Sequence, residues 1–313
     1  MTRKIILDCD PGHDDAVAII LAGGDPGIEL LGITTVGGNQ TLAKVTRNAL
    51  SVVRVARLTH IPVHAGCDRP LVREIEVAPD IHGDSGLDGV ELPEPVTKVG
   101  AAHAVDFIIE TVMANEPGTV TLVPTGPLTN IALAVRKEPR IAKRVQEVVL
   151  MGGGYHVGNW SAVAEFNIKV DPEAAHIVFN EAWPLTMVGL DLTHQALATA
   201  AVEEQIRAIG SECSEFVLGL FAFFRKAYKE AQGFDDPPVH DPCAVAYLID
   251  PATVSTQKVP LDIELRGDLT VGMTVADFRA PAPPDCHTQV AVNLDHGAFW
   301  DMVVRAIRAV ESR

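Results

Sequence analysis

The chain has 313 residues, 47% of them hydrophobic and 21% charged, a globular balance that excludes a disordered, collagen-like or low-complexity polymer. Its 41 Asp and Glu residues outnumber 25 Lys and Arg, for a formal charge of −16. Duplex nucleic acid and anionic membranes are polyanions and therefore poor partners; a cation or a neutral small molecule suits this charge better.

In chain order, short β-branched runs alternate with helical patterns. Lys4 to Asp10 reads as a buried strand, Asp14 to Ala22 as a helix, Leu30 to Val36 as a second strand and Thr41 to Ala56 as a second helix. Ile61 to Val63 is a short third strand, and further strands fit Val120 to Val123, Val148 to Met151 and Leu185 to Leu190. Helices fit the segments near 101–114, 128–136, 172–181 and 297–311. Continuous apolar strands with intervening helices predict an α/β fold: an open, mainly parallel sheet covered on both faces. No composition shift marks a linker, so residues 1–313 are read as one domain.

Five cysteines in wide spacing, without a CxxC, argue against a disulfide framework and against structural zinc. The longest apolar run, Phe216 to Phe224, is too short for a membrane span and reads as a buried helix. The first residues enter a strand and meet Asp8 and Asp10 before an apolar leader could form, so a soluble, cytoplasmic protein is expected.

In sheets of this class, sites form at the carboxyl ends of strands. Polar or glycine-rich segments stand at several of those ends: Asp8 to Asp15, Gly37-Gly38-Asn39, Pro124 to Pro127, and Met151 to Gly154. Two loop-like stretches, His82 to Gly86 and Gly233 to Pro238, are candidate lids. Asp14 alone could simply cap a helix. Four carboxylates within eight residues (Asp8, Asp10, Asp14, Asp15) are explained better by a bound hard cation, Ca²⁺ or Mg²⁺, since converging buried carboxylates otherwise repel. Asp8-Cys9-Asp10 also has the spacing of the haloacid dehalogenase phosphatases, with Asp8 as nucleophile. Pro11-Gly12-His13 departs from that pattern, and no Lys or Arg near these segments offers a phosphate clamp.

Asp8 to Ala16 resembles the signature of the inosine–uridine nucleoside hydrolases. The resemblance continues, in the family's order, through Val36 to Asn39, Val123 to Asn130, Met151 to Gly154, Ala164 to Asn167 with Asp171 to Ala175, and Val239 to Pro242. It implies a Ca²⁺-dependent hydrolase of ribonucleoside N-glycosidic bonds on an open, Rossmann-like α/β fold, assembled as a homotetramer or homodimer. Carried over by position, it makes Asp10, Asp15 and Asp241 Ca²⁺ ligands together with the backbone carbonyl of Thr125. Asp10 is then also the general base toward the attacking water. Asp14, Asn39 and Asn167 hold the ribose 2′- and 3′-hydroxyls, Asn159 and Glu165 hold the 5′-hydroxyl, and Met151 packs near the sugar. His240 faces the base as general acid, His82 and Tyr228 stand at the rim, and Asp8 lies one layer behind the ligands.

Phe166, Cys9 and Cys243 read as packing residues. Purine-specific relatives stack the base between tryptophans. Here Trp160 follows Asn159, while Trp183 and Trp300 lie in apolar stretches, so no such pair is visible. A broad inosine and uridine range is expected, with a pyrimidine-preferring enzyme as the alternative.

Overall fold

Ten strands form in the computed structural model, which describes residues 2–312. They are β1 (Arg3–Cys9), β2 (Ile28–Thr35), β3 (Val63–Ala65), β4 (Val120–Pro124), β5 (Val145–Met151), β6 (Leu185–Val188), β7 (Val254–Lys258), β8 (Leu261–Ile263), β9 (Thr274–Ala276) and β10 (Thr288–Leu294). Eight of them make one sheet in the order β3-β2-β1-β4-β5-β6-β10-β7; β8 and β9 form a separate antiparallel pair. All pairings in the large sheet are parallel except that of β10 with β7. The expected open, mainly parallel sheet is therefore present.

Strand β1 shows why both faces must be covered. Ile5, Leu7 and Cys9 enter one hydrophobic cluster and Ile6 the other, as the two-residue side-chain period requires. The first cluster takes in the helices His13–Gly24, Leu42–Val55, Glu212–Gln232, Pro242–Ile249 and His296–Glu311. The second takes in Ala104–Ala114, Thr129–Lys137 and Pro172–Phe179. Helix His13–Gly24 is buried at all twelve positions, consistent with its Ala, Ile and Leu content on every side.

The first six strands have the doubly wound order 3-2-1-4-5-6. The chain leaves β1 toward β2 and β3 on one side and later builds β4, β5 and β6 on the other. A crevice results at the carboxyl ends of β1 and β4, the usual ligand position in such sheets.

Several boundaries differ from the sequence reading. The third strand begins at Val63, after Pro62, which has no N–H to give a ladder. The strand from Leu185 stops at Val188, because Leu190–Thr193 coils into a helical turn. The Phe216 to Phe224 run is the apolar middle of the 21-residue helix Glu212–Gln232. The sequence reading does not include strands β7 to β10: they are short or rich in polar residues, and β7 pairs antiparallel at an edge.

Candidate active site

The segments after β1, β2 and β4, with the end of β5, lie side by side because these four strands are neighbours. Asp10 follows β1, Asn39 follows β2, Thr125 follows β4 and Met151 closes β5. Asp14 and Asp15 stand in the first turn of helix His13–Gly24, and Asp241 immediately precedes helix Pro242–Ile249.

Hydrogen bonds fix this floor. Asp10 Oδ2 accepts the Asn39 N–H at 2.6 Å, and Asn39 Nδ2 donates to the Asp10 carbonyl at 3.1 Å and to Asp15 Oδ2 at 3.3 Å. Asp15 also accepts from the Gly12 N–H at 3.0 Å and the Thr125 hydroxyl at 2.8 Å. Asp14 Oδ2 accepts the His240 N–H at 3.3 Å across 226 residues of sequence. The Asp10 carboxylate lies between two glycines: a Cβ on Gly38 would overlap Oδ2, and one on Gly126 would stand 2.6 Å from Oδ1.

Asp14, Asp15 and Asp241 each offer a carboxylate oxygen within 4.8 Å of the others. Among the described residues this is the one such group of Asp, Glu, His or Cys side chains. It contains Asp14 where the resemblance implies Asp10, and Asp10 borders it through Asn39 and Asp15. Burial raises the proton affinity of all four carboxyls. Asp14 is pushed up to about 6 and Asp15 to about 7, the latter also by the charge of Asp14. Asp10 and Asp241 are pushed well above the usual carboxylate range by burial and by neighbouring Asp charges. Asp10 Oδ1 is buried without a partner. An all-oxygen set with repelling charges and an orphaned oxygen fits a hard divalent cation.

Asp8 lies below this layer, fully buried, where Oδ1 accepts from Thr34 Oγ1 at 2.5 Å and Asn130 Nδ2 at 2.8 Å. Its carboxylate is turned to Thr34 and Asn130 and does not join the Asp14, Asp15 and Asp241 group, and the described residues lining the cavity offer no Lys or Arg for a phosphate, so a phosphatase reading has little support.

A cavity of about 200 Å³ opens above the carboxylates. Asp14, Asn39, His82, Thr125, Met151, Asn159, Glu165, Asn167, Tyr228, His240 and Asp241 all line it; Asp10 and Asp15 lie beneath its floor. Among the described residues no Lys or Arg lines it. Asn167 Nδ2 donates to the Thr125 carbonyl at 2.8 Å and the Met151 carbonyl at 3.2 Å. Glu165 caps the helix Phe166–Val170: its carboxylate accepts from the Asn167, Ile168 and Gly153 N–H groups, and burial still pushes it up to about 7. Asn159 Oδ1 accepts the Phe166 N–H at 2.9 Å.

His240 is held at both ring nitrogens, Nδ1 by the Thr193 hydroxyl at 2.7 Å and Nε2 by the Tyr228 hydroxyl at 2.6 Å. Burial keeps the imidazole neutral and the phenol protonated. His82 and Tyr228 are buried in the cavity wall rather than standing at its rim. His82 Nδ1 lies 3.2 Å from His13 Nδ1, and the His13 ring is stacked on Phe223 and Phe224.

Thr193 and His13 were missed, since isolated residues so far from their partners in sequence carry no spacing signal. Phe166, expected as packing, both packs with Ala78 and Val170 and lines the cavity with Ala78, Asp80, Ile81, Trp160, Ala231 and Gln232. Cys9 and Cys243 are buried as expected, their thiols pushed up by burial.

The two loop-like stretches are both tied down. Asp88 accepts the Asp84 and Ser85 N–H groups at 3.0 Å. Arg225 grips the Asp235 carbonyl at 2.8 Å, the Ala198 carbonyl at 2.7 Å, and the carboxylates of Asp236 and Glu203. Among the described residues no helix is long and apolar enough to cross a membrane.

Comparison with known proteins agrees with this geometry. The chain is 60% identical over 311 residues to the inosine-uridine preferring nucleoside hydrolase of Crithidia fasciculata, covering 99% of each chain. It is also 60% identical to that of Leishmania major over 312 residues, again 99% of each. The solved structure of a purine-preferring ribonucleoside hydrolase from Gardnerella vaginalis superposes with a TM-score of 0.92 at 36% identity, covering 98% of this chain and 99% of the other. The family model described as inosine-uridine preferring nucleoside hydrolase matches residues 5–301, and the chain belongs to that family as a nucleoside hydrolase.

Proposed function

We propose that this enzyme hydrolyses the N-glycosidic bond of ribonucleosides with Ca²⁺ as cofactor, and that it accepts both inosine and uridine. The carrying observation is the buried oxygen set of Asp14, Asp15 and Asp241 beside the unpartnered Asp10 Oδ1, under a cavity without Lys or Arg among its described lining residues. Asp10, Asp15, Asp241 and the Thr125 carbonyl are the proposed ligands. Ca²⁺ suits them because it accepts six to eight oxygens in irregular geometry, whereas Mg²⁺ demands a near-ideal octahedron. When bound, it supplies a fixed positive charge that orients the attacking water and the ribose diol.

The protein's own groups then divide the chemistry. Asp10 takes the proton of the attacking water; its Oδ1 has no partner among the described residues and is free to accept one. Asp14, Asn39 and Asn167 receive the 2′- and 3′-hydroxyls, Asn159 and Glu165 the 5′-hydroxyl, with Met151 against the sugar. The buried carboxylates stabilise the positive charge that develops on the ring as the C–N bond breaks. The Tyr228–His240 pair gives a proton to the departing base, and His82 contacts the base from the wall. One water proton goes to Asp10, one proton goes to the base, and a C–O bond replaces the C–N bond.

Base breadth is supported by the tryptophans. Trp183 and Trp300 are buried in the two cores, and Trp160 alone of the three lines the cavity. One domain over residues 1–313 and a cytoplasmic location are proposed from the sequence reading, and a homotetramer or homodimer from the family resemblance.

The purified enzyme should release ribose from inosine and uridine, lose that activity on chelation and regain it with Ca²⁺. It should turn over 2′-deoxyinosine at least 100-fold more slowly, because the missing hydroxyl leaves buried polar groups unpaired. Equal turnover of inosine and 2′-deoxyinosine, or insensitivity to chelation, contradicts the assignment.

A further inference from the structure

Trp160 is one of the cavity residues to which the reaction assigns no role. It is 38% exposed yet held on three sides. Its indole N–H donates to Glu76 Oε2 at 2.5 Å, on a segment 84 residues away in sequence. Its ring meets Phe166 edge-on, with centroids 5.0 Å apart. Its backbone is equally constrained: the N–H groups of Asn159, Trp160 and Ser161 all point at the Ala164 carbonyl, at 3.2, 3.1 and 3.2 Å. Glu76 is itself exposed, but its segment is anchored three residues earlier, where Arg73 makes a two-pronged pair with Glu173 at 2.9 and 2.7 Å. A tryptophan braced in this way is a rigid wall.

Its position gives the wall a purpose. Trp160 directly follows Asn159 and lines the cavity with Glu165, the two side chains assigned to the sugar's 5′-hydroxyl. We propose that Trp160, latched by Glu76, sets the size of the group the enzyme admits at the 5′ carbon, so that a hydroxyl fits and a bulkier neutral substituent such as a thioether does not. This rests on the placement of the 5′-hydroxyl beside Asn159 and Glu165. Size and charge are excluded by different devices here. The wall excludes bulk. A 5′-phosphate should be rejected for a separate reason, since the described lining residues contain Asp14, Asp80, Glu165 and Asp241 but no Lys or Arg, and Glu76 accepts from the indole N–H.

The test compares kcat/KM for inosine, 5′-deoxy-5′-methylthioinosine and inosine 5′-monophosphate in the wild type, Trp160→Ala, Glu76→Ala and Glu76→Gln. A rigid apolar wall discriminates against an added group of this size by roughly 10–200-fold. Trp160→Ala should therefore raise the ratio of methylthioinosine to inosine by at least about tenfold. Glu76→Ala, which frees the indole without removing it, should give a smaller rise. Glu76→Gln keeps an acceptor for the indole N–H and should leave the ratio near the wild-type value. The monophosphate should stay rejected in every variant. An unchanged methylthioinosine ratio in both Trp160→Ala and Glu76→Ala overturns the proposal. Asn159→Ala separates the two layers. If it leaves the ratio of inosine to 5′-deoxyinosine unchanged, the 5′ placement itself is wrong and the wall falls with it. If that ratio changes while the Trp160 and Glu76 variants do nothing, the wall alone is wrong.

Discussion

His240 and Tyr228 share one short contact, 2.6 Å, in a place where neither side chain ionises readily. Burial holds the imidazole pKa well below 6.5, and burial with the charges of Asp14, Asp241 and Glu165 holds the phenol well above 10. Both shifts favour the uncharged pair, so the proton it can give is that of the Tyr228 hydroxyl, which His240 positions. His240→Ala should lower inosine kcat by roughly 10²–10⁴-fold, the usual worth of a positioned general acid. Tyr228→Phe, which removes that hydroxyl, should cost a similar factor, and KM should move less than kcat in both. Steady-state kinetics with inosine decide this; an unchanged kcat in His240→Ala removes the acid role. At this scale the sequence was legible where residues were adjacent or carried a motif. His240 was found because it precedes Asp241 within Val239 to Pro242. Thr193, which fixes the other ring nitrogen, was invisible: a lone threonine 47 residues from its partner has no signature.

The end of β1 and the starts of helices His13–Gly24 and Pro242–Ile249 deliver the carboxylates, and their spacing depends on what the adjoining turns leave out. Gly38 follows β2 and Gly126 follows β4, and their missing side chains make the slot in which the Asp10 carboxylate lies. Gly126→Ala would put a methyl group 2.6 Å from Asp10 Oδ1 and push the carboxylate aside. A displacement of about 1 Å can cost on the order of 10²-fold in rate. We expect a loss of that size in kcat together with weaker Ca²⁺ binding by calorimetry, while thermal unfolding of the metal-free protein shifts little. Wild-type kinetics and affinity in Gly126→Ala would show that the slot is not needed. Parallel strands and their following turns were readable because they are apolar runs punctuated by glycine and polar residues. The antiparallel edge was not. Thr288–Leu294 has only three successive apolar residues, Val290 to Val292, between polar ones, and its partner Val254–Lys258 is largely exposed, so neither resembles the buried parallel strands.

Over the whole molecule, the buried acids link stability to pH. The folded-state values of Asp14, about 6, and of Asp8, Asp15 and Glu165, about 7, stand above the roughly 4 of a solvated carboxyl. Between about pH 4 and 7 the folded metal-free protein binds more protons than the unfolded chain, so these groups withdraw stability as pH rises. A cation at the site reverses that trend, because it stabilises the ionised carboxylates. Saturating Ca²⁺ should therefore raise Tm more at pH 7.5 than at pH 5, as read by scanning calorimetry with and without chelator. An equal gain at both values would place the cation elsewhere. The sequence indicated the cluster and its sign but not its depth, since burial follows from packing against β1 and helix His13–Gly24. One distance along the chain has a consequence for biosynthesis. Asp14 and the His240 backbone meet across 226 residues, and Asp241 follows directly. A growing polypeptide thus carries three of the four aspartates of the cation site within its first 15 positions, yet cannot close the set until more than three-quarters of its length has been made. Incomplete chains should stay metal-free, and cation loading should mark the chains that have been made past Asp241.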